Sequence, residues 1–134
     1  MSVTKGNAII VEDDMLISLM EERLLQNLGY RVSDKFLSGE NAIQEIKERD
    51  MDPNFILMDI LLEGELNGLD TAKEIWSYSD TPILFVSGSK DLFEKSKFAL
   101  TKRHSFVSKP FTKKVLKEGL NTLLLEPSYV SMSN

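Results

Sequence analysis

The sequence predicts an α/β domain in which helices cover both faces of a parallel sheet. Short apolar or β-branched runs alternate with longer segments in which apolar residues recur at the 3.6-residue period of a helix. The chain holds 134 residues, the length of one domain, and no internal repeat interrupts the alternation. Strands that alternate with helices pair in parallel through right-handed crossovers. We therefore expect a single doubly wound (βα)5 domain.

Five short runs predict the strands. Each is rich in apolar or β-branched residues, as expected where helices bury a sheet on both faces. The runs are NAIIV at 7–11, YRVSDKF at 30–36, FILM at 55–58, PILFVS at 82–87 and SFVS at 105–108. The third run is followed at once by Asp59, so a carboxylate ends what should be a buried strand.

The segments between and after these runs predict helices. They cover 15–28, 39–49, 68–78 and 90–101, and a last helix begins at a Thr112 cap and ends before Pro127. Asp14 can cap the first helix and Gly29 can end it. Four apolar side chains share one stripe of that helix, namely Leu16, Met20, Leu24 and Leu28. Gly119, inside the last helix, should cost about 1 kcal/mol relative to alanine.

Composition excludes several classes of protein. The chain has no cysteine, which excludes disulfides and thiolate metal sites. Its longest apolar stretch is far shorter than a membrane span, and the apolar segment near the N-terminus is too short for a signal peptide. We therefore expect a cytoplasmic protein with no membrane contact. The expected domain covers 1–126, and 127–134 would be a short tail; a stand-alone protein and a piece of a longer regulator both remain open.

Charge is distributed unevenly along the chain. The net charge is −5, yet residues 90–117 carry nine Lys or Arg against two acids, a local charge of +7 that leaves −12 for the rest. Such a segment is either the solvated face of lysine-rich helices or a docking face for an acidic partner. Nucleic-acid binding is not expected, because the chain is acidic overall and carries no recognition motif.

Polar side chains lie at the ends of four predicted strands. Glu12 and Asp13 follow the first, Asp59 the third and Lys109 the fifth, while Ser87 ends the fourth. Open α/β sheets bind ligands at this carboxyl edge. Three carboxylates there would repel one another by about 1 kcal/mol per pair at 4 Å in water, and a bound cation would remove the repulsion. Oxygen ligands of this kind suit Mg²⁺, which implies a phosphoryl group nearby.

No motif in the chain would hold a phosphate donor. It has neither a GxxxxGK loop nor a GxGxxG fingerprint. We therefore expect Asp59 itself to be phosphorylated as an acyl phosphate, with Lys109 and Ser87 holding phosphoryl oxygens. Taken alone, Ser87 and Lys109 would be an ordinary strand-end hydroxyl and a surface lysine. Their combination with the acids at one edge is what favours a functional site.

The motifs resemble those of the receiver domains of two-component response regulators, over nearly the whole chain. VEDD holds Glu12 and Asp13, LMDILLEG holds Asp59, VSGS holds Ser87, and VSKPF holds Lys109 before a proline. The resemblance implies a flavodoxin-like fold with strand order 2-1-3-4-5. It also implies that Asp59 receives its phosphoryl group from a histidine kinase or a histidine phosphotransfer protein.

The resemblance further implies a ligand set for Mg²⁺. Asp13 and Asp59 would bind the ion directly, Glu12 would act through water, and the backbone carbonyl of Leu61 would complete the protein ligands. The bond between Lys109 and the following proline is often cis in this family.

Activation, by the same resemblance, would work through charge. Ser87 would move to donate a hydrogen bond to the phosphoryl group. Phe106, at the aromatic switch position, would then turn inward and change the surface of helix four, strand five and helix five. The basic segment lies there, which favours a downstream protein partner at this face.

The chain departs from the common receiver pattern in three places. The stretch from Asp59 to Gly68 is one residue longer than in many members. Lys102 and Arg103 replace a small pair before the fifth strand, which puts the end of helix four in doubt. Gly88 replaces the usual alanine and should widen access to the site.

Two positions that influence hydrolysis in this family are occupied by Leu61 and Ser89. Because Leu61 is apolar and offers no group to position water, we expect a long-lived phosphoryl group.

Two other functions stay open on the sequence alone. One is an interaction module with this fold that works without phosphorylation. The other is a Mg²⁺-dependent phosphohydrolase with an aspartyl nucleophile. Phosphatases of the haloacid-dehalogenase-like class need a second acid two residues after the nucleophile, where this chain has Leu61. We therefore expect no enzyme activity beyond self-catalysed phosphorylation and slow autodephosphorylation.

Overall fold

Five parallel strands form the centre of the structure, a computed structural model that describes residues 4–125. The strands are β1 (Gly6–Val11), β2 (Tyr30–Phe36), β3 (Phe55–Asp59), β4 (Ile83–Ser87) and β5 (His104–Ser108). The helices are α1 (Met15–Asn27), α2 (Gly39–Glu48), α3 (Gly68–Trp76), α4 (Lys90–Ser96) and α5 (Lys113–Leu123). The predicted tail at 127–134 lies outside the described residues.

The order of the sheet is β2-β1-β3-β4-β5, with every neighbouring pair parallel. The predicted doubly wound, flavodoxin-like fold is thus confirmed. β1 lies beside β3, and Val11 is paired with Met58 at the ends of the two strands. The residues that follow these strands are therefore brought to one edge of the sheet.

The two faces of the sheet carry separate hydrophobic layers. One layer packs against α2, α3 and α4, and the other packs against α1 and α5. Side chains of β3 alternate between the layers, so Ile56 and Met58 join the first while Phe55 and Leu57 join the second. All five residues of β3 are buried, Asp59 included. The sequence predicted that this strand ends at Met58. In the structure β3 is one residue longer, so the Asp59 carboxylate belongs to the strand itself.

The predicted caps at the starts of α1 and α5 and the predicted end of α1 are confirmed by their contacts. Oδ1 of Asp14 accepts hydrogen bonds from the backbone N–H groups of Leu16 and Ile17, at 2.9 and 3.1 Å. Thr112 caps α5 in the same way, with its hydroxyl accepting from the Val115 N–H at 3.2 Å. Gly29 has a φ of +98°, the left-handed conformation that ends a helix.

The apolar stripe of α1 faces the core only in its C-terminal half, where Leu24 and Leu28 pack against the layer shared with α5. Leu16 is 68% exposed and Met20 is 58% exposed. The face that packs against the sheet instead carries Ser18, Glu21 and Leu25. Because two polar residues, Ser18 and Glu21, occupy the buried face, the apolar periodicity located that face only at the C-terminal end of the helix.

Two helices end earlier than predicted. α3 stops at Trp76, and its indole N–H donates to the Thr81 carbonyl at 2.8 Å in the turn that follows. α4 stops at Ser96 and continues only as a 3₁₀ turn over Lys97–Ala99, closed by a bond from the Leu100 N–H to the Lys97 carbonyl. Such i to i+3 bonds tighten and end a helix. The predicted helix over 90–101 was therefore too long.

Gly119 lies at a close approach between α5 and the sheet. A Cβ at this position would lie 2.5 Å from Cγ2 of Val107. The hydroxyl of Ser105, on the same strand, donates to the Gly119 carbonyl at 3.0 Å. The glycine therefore permits close packing between helix and strand, which outweighs its low helix propensity.

Among the described residues, the structure contains no helix with the length and apolar character needed to cross a membrane.

Candidate functional site

Asp59 ends β3 in the middle of the sheet and is only 6% exposed. Its Oδ1 accepts a hydrogen bond from the Leu61 N–H at 3.3 Å. Its Oδ2 lies 3.6 Å from Nζ of Lys109. The buried carboxylate therefore has one hydrogen-bond donor and one cation beside it. These contacts offset the free-energy cost of burying an ionised group.

Lys109 connects the last strand to the first. Its Nζ donates a hydrogen bond to Oε1 of Glu12 at 2.7 Å. Its backbone N–H donates to the Ser87 carbonyl at 2.8 Å, which fixes the start of the loop to the end of β4. The peptide bond to Pro110 is cis, as the resemblance led us to expect.

The two groups of this ion pair have shifted pKa values. Burial raises the pKa of Glu12 to about 7; Asp59 adds to the rise, and the bond from Lys109 opposes it. For Lys109, burial alone would lower the pKa, but the carboxylates of Glu12 and Asp59 outweigh that effect and raise it. The site therefore holds a firmly charged ammonium next to an acid that is easily protonated.

The three carboxylates among the predicted metal ligands come together. Glu12, Asp13 and Asp59 each offer a carboxylate oxygen, and these atoms all lie within 4.8 Å of one another. Asp13 is half-buried, and its Oδ2 accepts from the Glu63 N–H at 3.2 Å. Three hard oxygen donors close together fit the needs of Mg²⁺.

The loop after Asp59 is shaped by a close approach between β3 and α3. The Gly68 N–H donates to the Ile60 carbonyl at 2.7 Å, and a Cβ on Gly68 would overlap the Asp59 carbonyl oxygen. Asn67 caps α3 and forms a capping box with Asp70. Leu61 protrudes from this loop and is 56% exposed. The stretch between Asp59 and Gly68, which is one residue longer than in many receivers, therefore folds back on the end of β3.

Ser87 and Phe106 lie on the two strands beyond Asp59. Ser87 is 1% exposed, and its hydroxyl oxygen accepts from the Ser89 N–H at 3.1 Å. Phe106 is half-buried and stacks on Phe93 of α4, with ring centroids 4.6 Å apart. Ser87 thus belongs to the carboxyl edge, whereas Phe106 lies beneath α4.

A comparison with protein families accounts for this arrangement. The model of the response regulator receiver domain matches residues 8–121 of the chain. The chain belongs to the response regulator receiver family. Receivers act in two-component systems, so the predicted resemblance is confirmed.

Relatives of this receiver include longer regulatory proteins. The transcriptional regulatory protein YvrH of Bacillus subtilis is 34% identical over 107 residues, which cover 79% of this chain and 44% of YvrH. Protein PilG of Pseudomonas aeruginosa is 29% identical, and the match covers 81% of this chain and 79% of PilG. The chain spans about half the length of several relatives that it matches.

Solved receiver structures share the fold of the chain. The signal receiver domain of a modulated diguanylate cyclase from Desulfovibrio desulfuricans G20 has a TM-score of 0.76 at 25% identity, covering 96% of this chain and 98% of that domain. The CheX-CheY-BeF3-Mg complex from Borrelia burgdorferi gives a TM-score of 0.79 at 17% identity, covering 92% of each chain, and shows the likeness of fold alone.

The receiver also contains a buried acid that the sequence did not reveal. Glu21 of α1 is 3% exposed, and within residues 4–125 neither of its carboxylate oxygens has a hydrogen-bond partner. Burial raises the pKa of Glu21 to about 8; the charge of Glu12 adds to the rise and that of Lys109 opposes it. An acid in an amphipathic helix is normally solvent-facing, and only its spacing from Ser18 and Leu25 could have indicated otherwise.

Proposed function

We propose that this receiver accepts a phosphoryl group on Asp59 and, once phosphorylated, controls a partner protein. The observation that carries the proposal is the environment of Asp59: Lys109 lies 3.6 Å away, and two further acids offer oxygens within 4.8 Å of its own. A structural carboxylate would need the lysine but not the additional acids, whose repulsion is unfavourable without a bound cation.

The phosphodonor in this proposal is a phosphohistidine of a histidine kinase or of a histidine phosphotransfer protein. A carboxylate oxygen of Asp59 attacks phosphorus, the bond between phosphorus and the imidazole nitrogen breaks, and its electron pair stays on that nitrogen. The product is an acyl phosphate. The ammonium of Lys109, already 3.6 Å from Asp59, neutralises part of the charge on the phosphoryl oxygens.

The proposed direct ligands of Mg²⁺ are Asp13, Asp59 and the Leu61 carbonyl, and Glu12 is proposed to act through water. The metal, when bound, neutralises negative charge on the phosphoryl oxygens. The backbone of Leu61 is fixed next to Asp59 by its hydrogen bond to Oδ1, which supports a role for its carbonyl. Leu61 also exposes an apolar side chain that offers no group to position water, so we infer slow hydrolysis of the phosphoryl group.

The switch that we propose starts at Ser87. Its hydroxyl oxygen accepts one hydrogen bond from the Ser89 N–H, while its own proton has no acceptor within residues 4–125. That proton is available for a phosphoryl oxygen on Asp59. Movement of Ser87 would change the space available to Phe106, which stacks on Phe93 and so transmits the change to α4.

The output surface in this proposal is the face formed by α4, β5 and α5. A groove of about 420 Å³ between β5 and α5 is lined by Phe106 and Val115 among others. Two exposed lysines, Lys90 and Lys95, lie on α4. The exposed lysines at the start of α5 instead line a groove with Lys5 and the end of α1. The two lysines of α4 favour an acidic protein partner. A nucleic acid is disfavoured because the chain has a net charge of −5 and no recognition motif. The cytoplasm is the compartment that suits this role.

The same site argues against a phosphohydrolase. Such an enzyme needs a second acid at the position of Leu61, whose exposed side chain is apolar. A module that works without phosphorylation would not need the three converging carboxylates. We therefore propose a phosphoacceptor whose activity is limited to self-catalysed phosphorylation and slow autodephosphorylation.

The test uses acetyl phosphate as a small phosphodonor, with and without Mg²⁺, followed by intact-mass measurement. We expect a gain of one phosphoryl group that requires Mg²⁺ and is absent in Asp59→Asn. Asp52→Asn, at an exposed acid near the opposite edge, is the matched control and should be phosphorylated normally. A gain that persists in Asp59→Asn, or no gain in the unmodified protein, would refute the proposal.

A further inference from the structure

A groove lined mostly by lysines lies between the end of α1 and the start of α5, and we name it the basic groove. It has a volume of about 380 Å³. Asn27 and Leu28 at the end of α1 form part of its wall. The rest of the lining consists of four lysines, Lys5, Lys113, Lys114 and Lys117. Among residues 4–125, no acid lines the basic groove.

The positive charge of the four lysines is not compensated. All four are exposed, and none of them forms an ion pair with another residue in the range 4–125. Glu118, the acid nearest to them in sequence, lines a different groove, at β5. Like charges three or four residues apart on a helix are destabilising, and Lys113 and Lys114 both stand in that relation to Lys117. A bound anion would relieve this repulsion.

The fourth lysine comes from a second segment of the chain and is held in place there. The backbone N–H of Lys5 donates to the Gly29 carbonyl at 2.8 Å. The stem of Lys5 passes over Gly29, since a Cβ on this glycine would lie 3.3 Å from Cγ of the lysine and 3.5 Å from its Cε. The absence of a side chain at Gly29 thus leaves room for the lysine stem. The basic groove is therefore built by the tertiary fold and not by one lysine-rich helix alone.

The spacing of the lysines favours a compact polyphosphate over an acidic peptide or a nucleic acid. Four residues separate Lys113 from Lys117, which is about 6 Å along the helix axis. An extended peptide places the side chains of one face about 7 Å apart, so one or two carboxylates at most would fit this length. Linked phosphates carry charge on every group over the same length. Within the described part of the chain, no aromatic side chain lines the groove to stack on a base.

We propose that the basic groove binds a compact polyphosphate anion, with the four lysines donating hydrogen bonds to its phosphate oxygens. Lysine binds phosphate as a point charge, and a hydrogen bond between two ionised groups is stronger than one between neutral groups. The side-chain amide of Asn27 also lines the groove and can donate to the same ligand. The inference does not depend on phosphorylation of Asp59.

The experiment is a titration of the unphosphorylated protein with tripolyphosphate, followed by amide NMR. The buffer contains no divalent metal, which would bind the ligand, and its ionic strength is held constant because salt screens exposed charges. Monophosphate and hexaglutamate are the comparison ligands. We expect saturable shifts at Lys5, at 27–29 and at 113–117. Tripolyphosphate should bind at least about tenfold more tightly than either comparison ligand.

Two double variants separate a specific site from a general effect of charge. Lys113→Gln with Lys117→Gln should weaken tripolyphosphate binding by at least about tenfold. Lys90→Gln with Lys95→Gln removes the same charge from exposed positions on α4 and should change the affinity by less than about twofold. Equal weakening in both variants would reduce the effect to net charge and overturn the site.

The unmodified protein gives the remaining outcomes. No saturable binding of tripolyphosphate would overturn the proposal, and shifts confined to another surface would do the same. Equal binding of monophosphate would show that the lysines do not act together on one ligand, which also overturns it. Hexaglutamate that binds as tightly as tripolyphosphate would overturn the choice of ligand in favour of an acidic protein segment.

Discussion

The ammonium of Lys109 is hydrogen-bonded to Glu12 at 2.7 Å, although two strands, β3 and β4, lie between β5 and β1 in the sheet. The side chain therefore spans the carboxyl edge and passes Asp59 at 3.6 Å. One residue thus places a positive charge beside both the central strand and the first. The ammonium neutralises only part of the negative charge of the acids at this edge, and a divalent cation would neutralise the rest.

Addition of Mg²⁺ should stabilise the folded protein. A ligand that binds only the folded state adds about 2.7 kcal/mol to the free energy of unfolding when its concentration is 100 times its dissociation constant. Asp13→Asn should remove most of this gain, because Asp13 is one of three converging acids. Urea unfolding with and without Mg²⁺ checks this, with Asp52→Asn as the control. Equal gains in both variants would contradict the metal site.

Glu21 should make the protein less stable as pH rises. Its folded pKa of about 8 lies above the ordinary value of 4.5, so the folded state holds a proton that the unfolded state releases between these values. The stability penalty is absent below pH 4.5, grows between pH 4.5 and 8, and is complete above pH 8.

Glu21→Gln removes the titrating group and should remove this penalty. Each pKa unit corresponds to about 1.4 kcal/mol, so the variant should gain about 2 to 4 kcal/mol over the parent between pH 5 and pH 8. Parallel urea unfolding of both proteins at the two pH values gives the difference directly. A constant difference across that range would show that Glu21 titrates normally.

Gly119→Ala should destabilise the protein, although alanine favours helices. The added Cβ would meet Val107 at 2.5 Å, and overpacking of this kind costs about 1 to 3 kcal/mol. Gly88→Ala is the matched control, because a Cβ there meets nothing within 4 Å. Thermal unfolding of both variants measures the effect. A gain in stability for Gly119→Ala would mean that α5 is not held against β5 as described.

The connection between phosphorylation and α4 should fail in Ser87→Ala. The hydroxyl that we propose to contact the phosphoryl group is lost, but Asp59 and Lys109 remain. We expect the variant to gain phosphoryl mass from acetyl phosphate, while the amide shifts that phosphorylation produces around Phe93 and Phe106 shrink markedly. Ser108→Ala, at an exposed serine on β5, should leave the shifts unchanged. Undiminished shifts in Ser87→Ala would remove this serine from the switch.

The sequence predicted those features that depend on local pattern and strand order. Glu12, Asp13, Asp59, Ser87 and Lys109 were placed correctly at the carboxyl edge because strand ends are easily recognised and parallel strands bring their ends together. Their chemical roles remain predictions.

Features that depend on tertiary contacts were not predictable in the same way. The stripe through Leu16 and Met20 faces solvent, since the orientation of α1 is set by packing and not by the stripe itself. Glu21 was missed for the same reason. From the sequence, Gly119 was interpreted only as a residue that destabilises its helix. Its close contact with Val107 joins α5 to β5, and no local sequence pattern predicts the distance between two such elements.

The most direct test of the central claim locates the phosphoryl group chemically. After treatment with acetyl phosphate and Mg²⁺, borohydride reduces an aspartyl phosphate to homoserine, which peptide mass spectrometry can place in the sequence. We predict homoserine at position 59 and at no other acid. Homoserine at position 13, or the corresponding alcohol of glutamate at position 21, would contradict the assignment of Asp59 as the phosphoacceptor. The absence of any reduced residue in a protein that gained phosphoryl mass would contradict it too.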